Sequence, residues 1–380
     1  MKKYRYLISL ILLTLFLCSC SSKETLPNLD SIPTAQPIDK GDTETPTTPG
    51  TEAVDPTTDV QTPSTPTGDL KRSRLTNEWV SAQIADTRPI AVMTPQEDDA
   101  IPHYSLSKAS ILYEVNVEGR MTRMMAVYEN WWELEKIGNI RSLRSYYDYW
   151  VTEWDAVLLH YGETIFDEDF LNDPNTQDLD GNAEGVAFFR STDRSSPHNG
   201  FATGEGIQKA FEQKGYSFTY RGLADEQHYL FADETSPNTL EQYANTIPGN
   251  KVDMEGCYPL TRCYFVYNPD DGLYYRYQHL SGLSDGPHVD ESGTQLSFAN
   301  LLIQNTYYEV ISDPYLYFKT FDTTRDGWFF TQGKGIHVTW EKTTDYGATR
   351  YYDDNGDEIV LNTGKTMVLI VEDGDQFNYE

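Results

Sequence analysis

The residues best suited to chemistry in this chain are cations. Arg141 and Arg144 stand three apart in the stretch Gly138-Asn139-Ile140-Arg141-Ser142-Leu143-Arg144-Ser145-Tyr146-Tyr147. From Leu143 the apolar positions are Leu143, Tyr146, Tyr147, Trp150, Val151 and Trp154, a helical spacing. The two arginines are therefore expected on one side of a helix start. Unpaired N–H groups and the positive end of the helix dipole make that place unfavourable for cations on their own. An anion should join them, either an internal Asp or Glu or a bound ligand.

A second set lies in the loop-like run from Phe188 to Gly200, which carries Arg190, Arg194 and His198. Such a loop can hold phosphate, sulfate or a sugar carboxylate, or pair locally with Asp193. Together Arg141, Arg144, Arg190, Arg194 and His198 are expected to converge. His160 closes a short apolar strand, where open α/β sheets place ligands. Glu114, Asn116 and Glu118 alternate with Tyr113, Val115 and Val117, so they are expected to line one strand face. Glu114 and Glu118 would then be about 13 Å apart, too far for the paired carboxylates of a glycosidase. They fit as counter-ions for Arg123, Arg141 or Arg144, or as the polar wall of a cleft. The candidate ligand-binding residues are therefore Arg141, Arg144, His160, Arg190, Arg194, His198, Glu114 and Glu118.

The elements that must position these groups fall into two parts. Strands are expected at Arg88–Met93, Ile111–Val117 and Thr122–Tyr128, then a helix and strand between Ser142 and His160. A short helix near Thr164–Leu171, a strand at Gly185–Phe189 and a helix capped by Thr203 and ended at Lys214-Gly215 follow. This alternation suggests an α/β layered domain over residues 77–252. From 253 to 380 the character is β-rich. Cys263–Tyr267 and Leu273–Tyr277 form a hairpin around Asn268-Pro269-Asp270-Asp271-Gly272. Short strands recur about every ten residues after it. The fold class is α+β, with an α/β layered first domain and a β-rich second domain.

Composition bounds the function. The chain has 380 residues and a formal net charge of −30, which argues against nucleic acid, whose phosphates need Lys and Arg. The first 20 residues read as a targeting segment. Lys2, Lys3 and Arg5 precede the apolar run Leu7–Leu17, too short for a comfortable membrane span. Leu17-Cys18-Ser19-Cys20 fits a bacterial lipoprotein processing site with Cys20 as the lipidated (palmitate-type) residue, anchoring the protein to the outer face of the cytoplasmic membrane. Residues 21–76 are rich in Thr, Pro and acidic residues and read as a disordered tether. Cys257 and Cys263 would lie outside the cytoplasm, where a disulfide closing a small loop is expected.

Three tempting motifs do not hold. Gly282-Leu283-Ser284-Asp285-Gly286 matches a nucleophile elbow but lacks the strand–turn–helix context. Asp178-Leu179-Asp180-Gly181 resembles part of an EF-hand loop, yet Thr176 and Ala187 stand where ligands are needed. His288-Val289-Asp290 offers too few ligands for a metal. No metal is assigned, and no glycine loop or dinucleotide fingerprint implies a cofactor.

Several pieces together resemble the YerB-type lipoproteins. They are Arg88 to Met93, Leu112 to Gly119, Thr122 to Met124, Ile137 to Arg144 and Ser196 to Asn199, then Tyr275-Arg276, His288 to Asp290, Gly335 to Trp340 and Gly364 to Thr366. The resemblance runs in order over about residues 85–375. It implies an extracytoplasmic, two-domain lipoprotein of the cell envelope and carries no activity with it. The expected role is binding of an anionic or glycan envelope ligand in a cleft of the first domain. The alternatives are an enzyme acting on wall polymers or polyprenyl-phosphate precursors, and a protein-interaction module that organises wall enzymes. The expected partners are the membrane, through the lipid anchor, a cell-wall glycan or anionic polymer, and an envelope protein.

Overall fold

The computed structural model describes residues 68–279 and 285–380. The targeting segment, Cys20, the tether up to residue 67 and Gly282–Ser284 of the elbow-like motif lie outside the described residues. Ordered structure is present by Leu70–Arg72, which pairs with Trp79–Ser81. Leu75 behind it is fully buried.

In the molecule strand outweighs helix, 38% against 13%. Its centre is one sheet of eleven strands: β1 (Ile90–Pro95), β2 (Ile111–Asn116), β3 (Thr122–Tyr128), β4 (Val157–His160), β5 (Asp178–Asp180), β6 (Ile247–Pro248), β7 (Asn300–Thr306), β8 (Asp322–Thr331), β9 (Lys334–Lys342), β10 (Arg350–Tyr352) and β11 (Thr366–Glu372). The strand order is β6-β9-β8-β7-β11-β2-β3-β1-β4-β5, with β10 also on β9. The join between the two halves of the chain is β11, which runs parallel to both β7 and β2. Every residue of β1, β2 and β3 is buried; this fits the apolar run of β1, while β2 and β3 also bury the polar side chains of Glu114, Asn116, Thr122 and Arg123.

Strand alternation sends the two faces of this sheet to different neighbours. On one face Tyr113, Val115, Met93 and Met125 share a core with Leu302, Phe329, Val338 and Ile370 from the C-terminal half. The segment from Leu143 to Trp154 packs there, with Tyr113 stacked on Trp150 at 5.7 Å between ring centroids. On the other face a smaller sheet meets the main one. It is built from Lys251–Asp253, Tyr264–Asn268, Leu273–Gln278 and three short strands. The Tyr258 hydroxyl in its connecting loop donates to the Glu114 and Ile370 carbonyls. A separate hairpin, Tyr308–Ser312 with Tyr315–Phe318, stands outside both sheets.

The helices are short: α1 (Ala82–Asp86), α2 (Asp148–Thr152), α3 (Glu168–Leu171) and α4 (Gly204–Lys214). Only α4 has the expected length and caps, with Thr203 accepting from the Gly206 N–H and Gly215 closing it at φ 68°. The layered α/β arrangement expected for the first domain is thus not what forms. The helical spacing from Leu143 resolves into a 3-10 turn (Ser145–Tyr147) and the five residues of α2. Four aromatic residues and two β-branched ones in ten positions pack well but give little helix propensity. The fold is mixed α+β with a β-rich C-terminal part.

The expected disulfide is also absent. Cys257 and Cys263 are both free and buried. The Cys263 thiol lies 4.0 Å from a Glu114 carboxylate oxygen. Burial pushes both thiols well above the usual range. They are therefore protonated and pack as small apolar side chains.

Candidate functional site

β1 and β2 run in the same direction, and β4 is parallel to β1. Their carboxyl ends lie together, which is where parallel strands leave room for ligands. Four segments meet there. Gln96 and Glu97 follow β1. Arg123 lies at the start of β3, opposite Pro95. The Arg141 N–H donates to the Met93 carbonyl, and the Arg141 carbonyl accepts from Tyr161, so residues 139–143 bridge β1 to the end of β4. The loop holding His198 is tied to them by the Asn139 side-chain amide, which donates to the His198 carbonyl at 2.9 Å.

The geometry at this junction is loose. Glu97 is the only carboxylate within ion-pair range of two arginines among the described residues there. It sits 3.8 Å from Arg123 and 3.8 Å from Arg141, beyond hydrogen-bond length. Arg123 is almost wholly buried, and its one side-chain hydrogen bond goes to the Ser142 carbonyl. Its Nε has no partner, and neither has the Nε of Arg141. Burial, helped by Arg144, lowers the Arg123 pKa, and burial also lowers that of Arg141. Glu97 Oε2, Gln96 Oε1, Asn139 Oδ1 and His198 Nδ1 are likewise buried without a partner. Burial, opposed by Glu97, pushes the His198 pKa down, and Arg141 and Arg123 push it down further. The cluster reaches solvent through Arg141 and Glu97, whose side chains are 22% and 29% exposed.

The other candidate residues are more firmly engaged. Arg144 grips Glu118 with Nε and Nη2 at 2.9–3.1 Å and donates its Nη1 to the Leu143 carbonyl. Burial works against the Glu118 carboxylate, but the Arg144 hydrogen bonds and charge outweigh it and hold its pKa down. Strand β2 stops at Asn116, so the alternation expected to reach Glu118 ends two residues earlier. Arg194 donates to the Ala100 and Pro102 carbonyls at 2.6 Å each. Arg190 donates to Asn199 and lies over the Tyr161 ring. Of the five cations, the fold brings Arg141 and His198 together, with Arg144 near Arg123. Arg190 and Arg194 are committed elsewhere.

His160 is fully buried at the end of β4. Its Nδ1 faces the Gly162 carbonyl at 3.0 Å and its Nε2 faces Asp178 at 3.1 Å. Both partners only accept, so both nitrogens carry protons. Burial opposes this charge, but Asp178 and the carbonyl win and raise its pKa. His160, Glu163 and Asp180 could each bring one ligand atom within 4.8 Å of the others. In this arrangement both His160 nitrogens are directed at the Gly162 carbonyl and Asp178 instead.

Glu114 is held by a partner that the spacing did not suggest. Arg276 of the smaller sheet binds both its oxygens at 2.9 and 3.1 Å, and Thr122 donates to it at 2.6 Å. Both side chains of the pair are fully buried. Arg276 also contacts His288 Nδ1; His288 Nε2 lies 3.2 Å from His103 Nδ1, and His103 Nε2 is 2.7 Å from the Pro95 carbonyl. The carbonyl must accept, which fixes both tautomers: each Nε2 donates and each Nδ1 accepts. Burial lowers the His103 pKa to about 4, and burial, with Arg276 and His103 beside it, holds that of His288 well below its ordinary value.

Glu97 and Asn139 were missed as site residues, and Arg123 was seen only as a counter-ion. Arg123 left a trace: it is a charge inside the otherwise apolar run Met121–Val127. A hollow of about 130 Å³ lies elsewhere, against Tyr149, Asp169, Phe170, Asp345 and Tyr346 among others. No arginine lines it, and the unpartnered atoms near Arg141 make the stronger case for a ligand.

Residues 75–217 match the family model described as "Protein of unknown function (DUF3048) N-terminal domain", and residues 256–368 match the corresponding C-terminal domain. The chain is 25% identical over 311 residues to a Bacillus subtilis (strain 168) protein named "Putative lipoprotein YerB", covering 80% of this chain and 87% of that one. The crystal structure of YerB protein from Bacillus subtilis superposes with a TM-score of 0.68 at 23% identity, over 81% of this chain and 99% of that chain. That likeness supports the fold.

Proposed function

Because the chain belongs to the YerB-type (DUF3048) family, whose descriptions name no activity, we propose its function from the site: it binds an anionic group of an envelope ligand at Arg123 and Arg141. The carrying observation is that these two guanidinium groups share one carboxylate at 3.8 Å and leave both Nε atoms without partners. A buried guanidinium is normally saturated with acceptors, and an anion supplies them in the bidentate geometry that arginine favours. Arg144 adds positive potential from its place beside Glu118. His160, Arg190 and Arg194 serve as supports of the surrounding loops. The lipoprotein name of the relative agrees with an anchor at Cys20, which would hold this site at the outer face of the cytoplasmic membrane.

A thermal-shift screen at fixed salt tests the reading, with muropeptides, teichoic-acid fragments, polyprenyl-phosphate analogues and simple anions. A ligand at 100 times its dissociation constant adds about 2.7 kcal/mol, a rise of a few degrees for a protein this size. Arg141→Ala and Arg123→Gln should abolish the rise. A ligand whose effect survives both variants would place binding elsewhere. A second reading, an interaction module, draws on the hairpin Tyr308–Ser312, all five of whose residues are exposed, Val310 at 59%. It predicts no shift with any small molecule.

A further inference from the structure

The unpartnered atoms at the junction are of two kinds, and their mixture is informative about the ligand. Arg123 Nε and Arg141 Nε are donors. Glu97 Oε2 and Asn139 Oδ1 are acceptors. The orientation of Asn139 is fixed because its amide nitrogen donates to the His198 carbonyl, which can only accept. Glu97 lies within 3.8 Å of both arginines, so a free acceptor and the free donors lie within reach of one small molecule.

A bare anion cannot satisfy such a set. Phosphate or carboxylate oxygens at the arginines would accept from the donors but would leave the buried acceptors unpaired, one of them charged and repelling the anion. An unpaired buried acceptor is costly, and sites built to hydrogen-bond a hydroxyl discriminate strongly against ligands that lack it. Resting on the anion-binding reading above, we propose that the ligand is a hydroxylated anion, of the sugar-phosphate, polyol-phosphate or sugar-acid class. Its anionic group lies on Arg123 and Arg141, while Glu97 accepts from its hydroxyls. Glu97 is then a specificity residue: it weakens simple anions and rewards those that bring a donor.

Titration calorimetry on the full-length protein in mild detergent tests this at fixed salt and pH. The probes are glucose 1-phosphate, glycerol 1-phosphate and glucuronate, against methyl phosphate, acetate and neutral glucose. At least one hydroxylated anion should bind tenfold or more tightly than the simple anion carrying the same charged group, and glucose should not bind. In Glu97→Gln the simple anions should gain affinity and that ratio should shrink at least threefold. A matching thermal midpoint would show that the variant is folded. Equal binding of hydroxylated and simple anions overturns the proposal and leaves the anion site standing. No binding by any probe overturns both and assigns the bare atoms to ordered water.

Discussion

Glu114 and Glu97 are two glutamates beside arginines, one within β2 and one just past the end of β1, and the fold treats them in opposite ways. Glu114 is sealed between the two sheets. Two hydrogen bonds from Arg276, one from Thr122 and a thiol contact complete its shell. Glu97 stands at the strand ends, shared at 3.8 Å by two arginines and bonded to neither. The first arrangement spends every donor and acceptor on holding the halves of the molecule together. The second leaves them open. Charge type alone does not separate a structural ion pair from a binding site; the completeness of its hydrogen bonding does.

The largest effect should come from breaking the sealed pair. Arg276→Met leaves Glu114 buried and uncompensated, and should lower unfolding free energy by about 3–5 kcal/mol. Arg141→Ala removes only a long contact at a partly exposed side chain and should change stability by less than about 1 kcal/mol. Chemical denaturation of both variants measures the contrast. If Arg141→Ala costs as much as Arg276→Met, the distinction between the regions fails.

The next effect is on pH dependence, and the two regions differ in sign. His103, in the Arg276 chain, has its pKa lowered to about 4 by burial, against about 6.5 when unfolded. A depressed histidine contributes stability that is complete above 6.5 and is lost as pH falls from 6.5 toward 4, up to about 3 kcal/mol. His160, at the strand ends, has a raised pKa because of Asp178 and the Gly162 carbonyl acting against burial. Its contribution is complete below about 6.5 and is lost as pH rises through its folded value. Urea midpoints from pH 4 to 9 should therefore fall on both sides. His103→Gln should lose part of the acid limb and His160→Asn part of the alkaline limb. Unchanged limbs in both variants would refute the assignment.

The smallest effect concerns the cysteines. Both are free and buried, so dithiothreitol should leave the thermal midpoint unchanged within about 1 °C, and both thiols should react with iodoacetamide only after unfolding. A clear drop in midpoint on reduction would restore the bridge.

Much of the fold was legible where the physics is local. Thr122–Tyr128 and the Thr203–Gly215 helix have the limits read from their apolar pattern and caps. The run from Leu143 misled because burial against Tyr113 and its neighbours produces the same spacing without a regular helix. The site was half legible. Arg141 and His198 were visible as cations in loop-like stretches. Glu97 and Asn139 were not, because their significance comes from register: β3 places Arg123 opposite Pro95, and no local pattern encodes that pairing. The Arg276 partner of Glu114 lies 162 residues away, beyond any periodicity argument.

The position of β11 bears on how the molecule is made. Of the eleven strands in the main sheet it is synthesised last, yet it sits between β2 and β7. Until Thr366–Glu372 joins them, the earlier strands form at most two half-sheets, each with a long apolar edge. Open edges of this kind invite pairing with other chains. A message truncated shortly before Thr366 would therefore yield a sticky product instead of a slightly shortened one. Faithful completion of the chain is, for this architecture, a protection against aggregation in its own right.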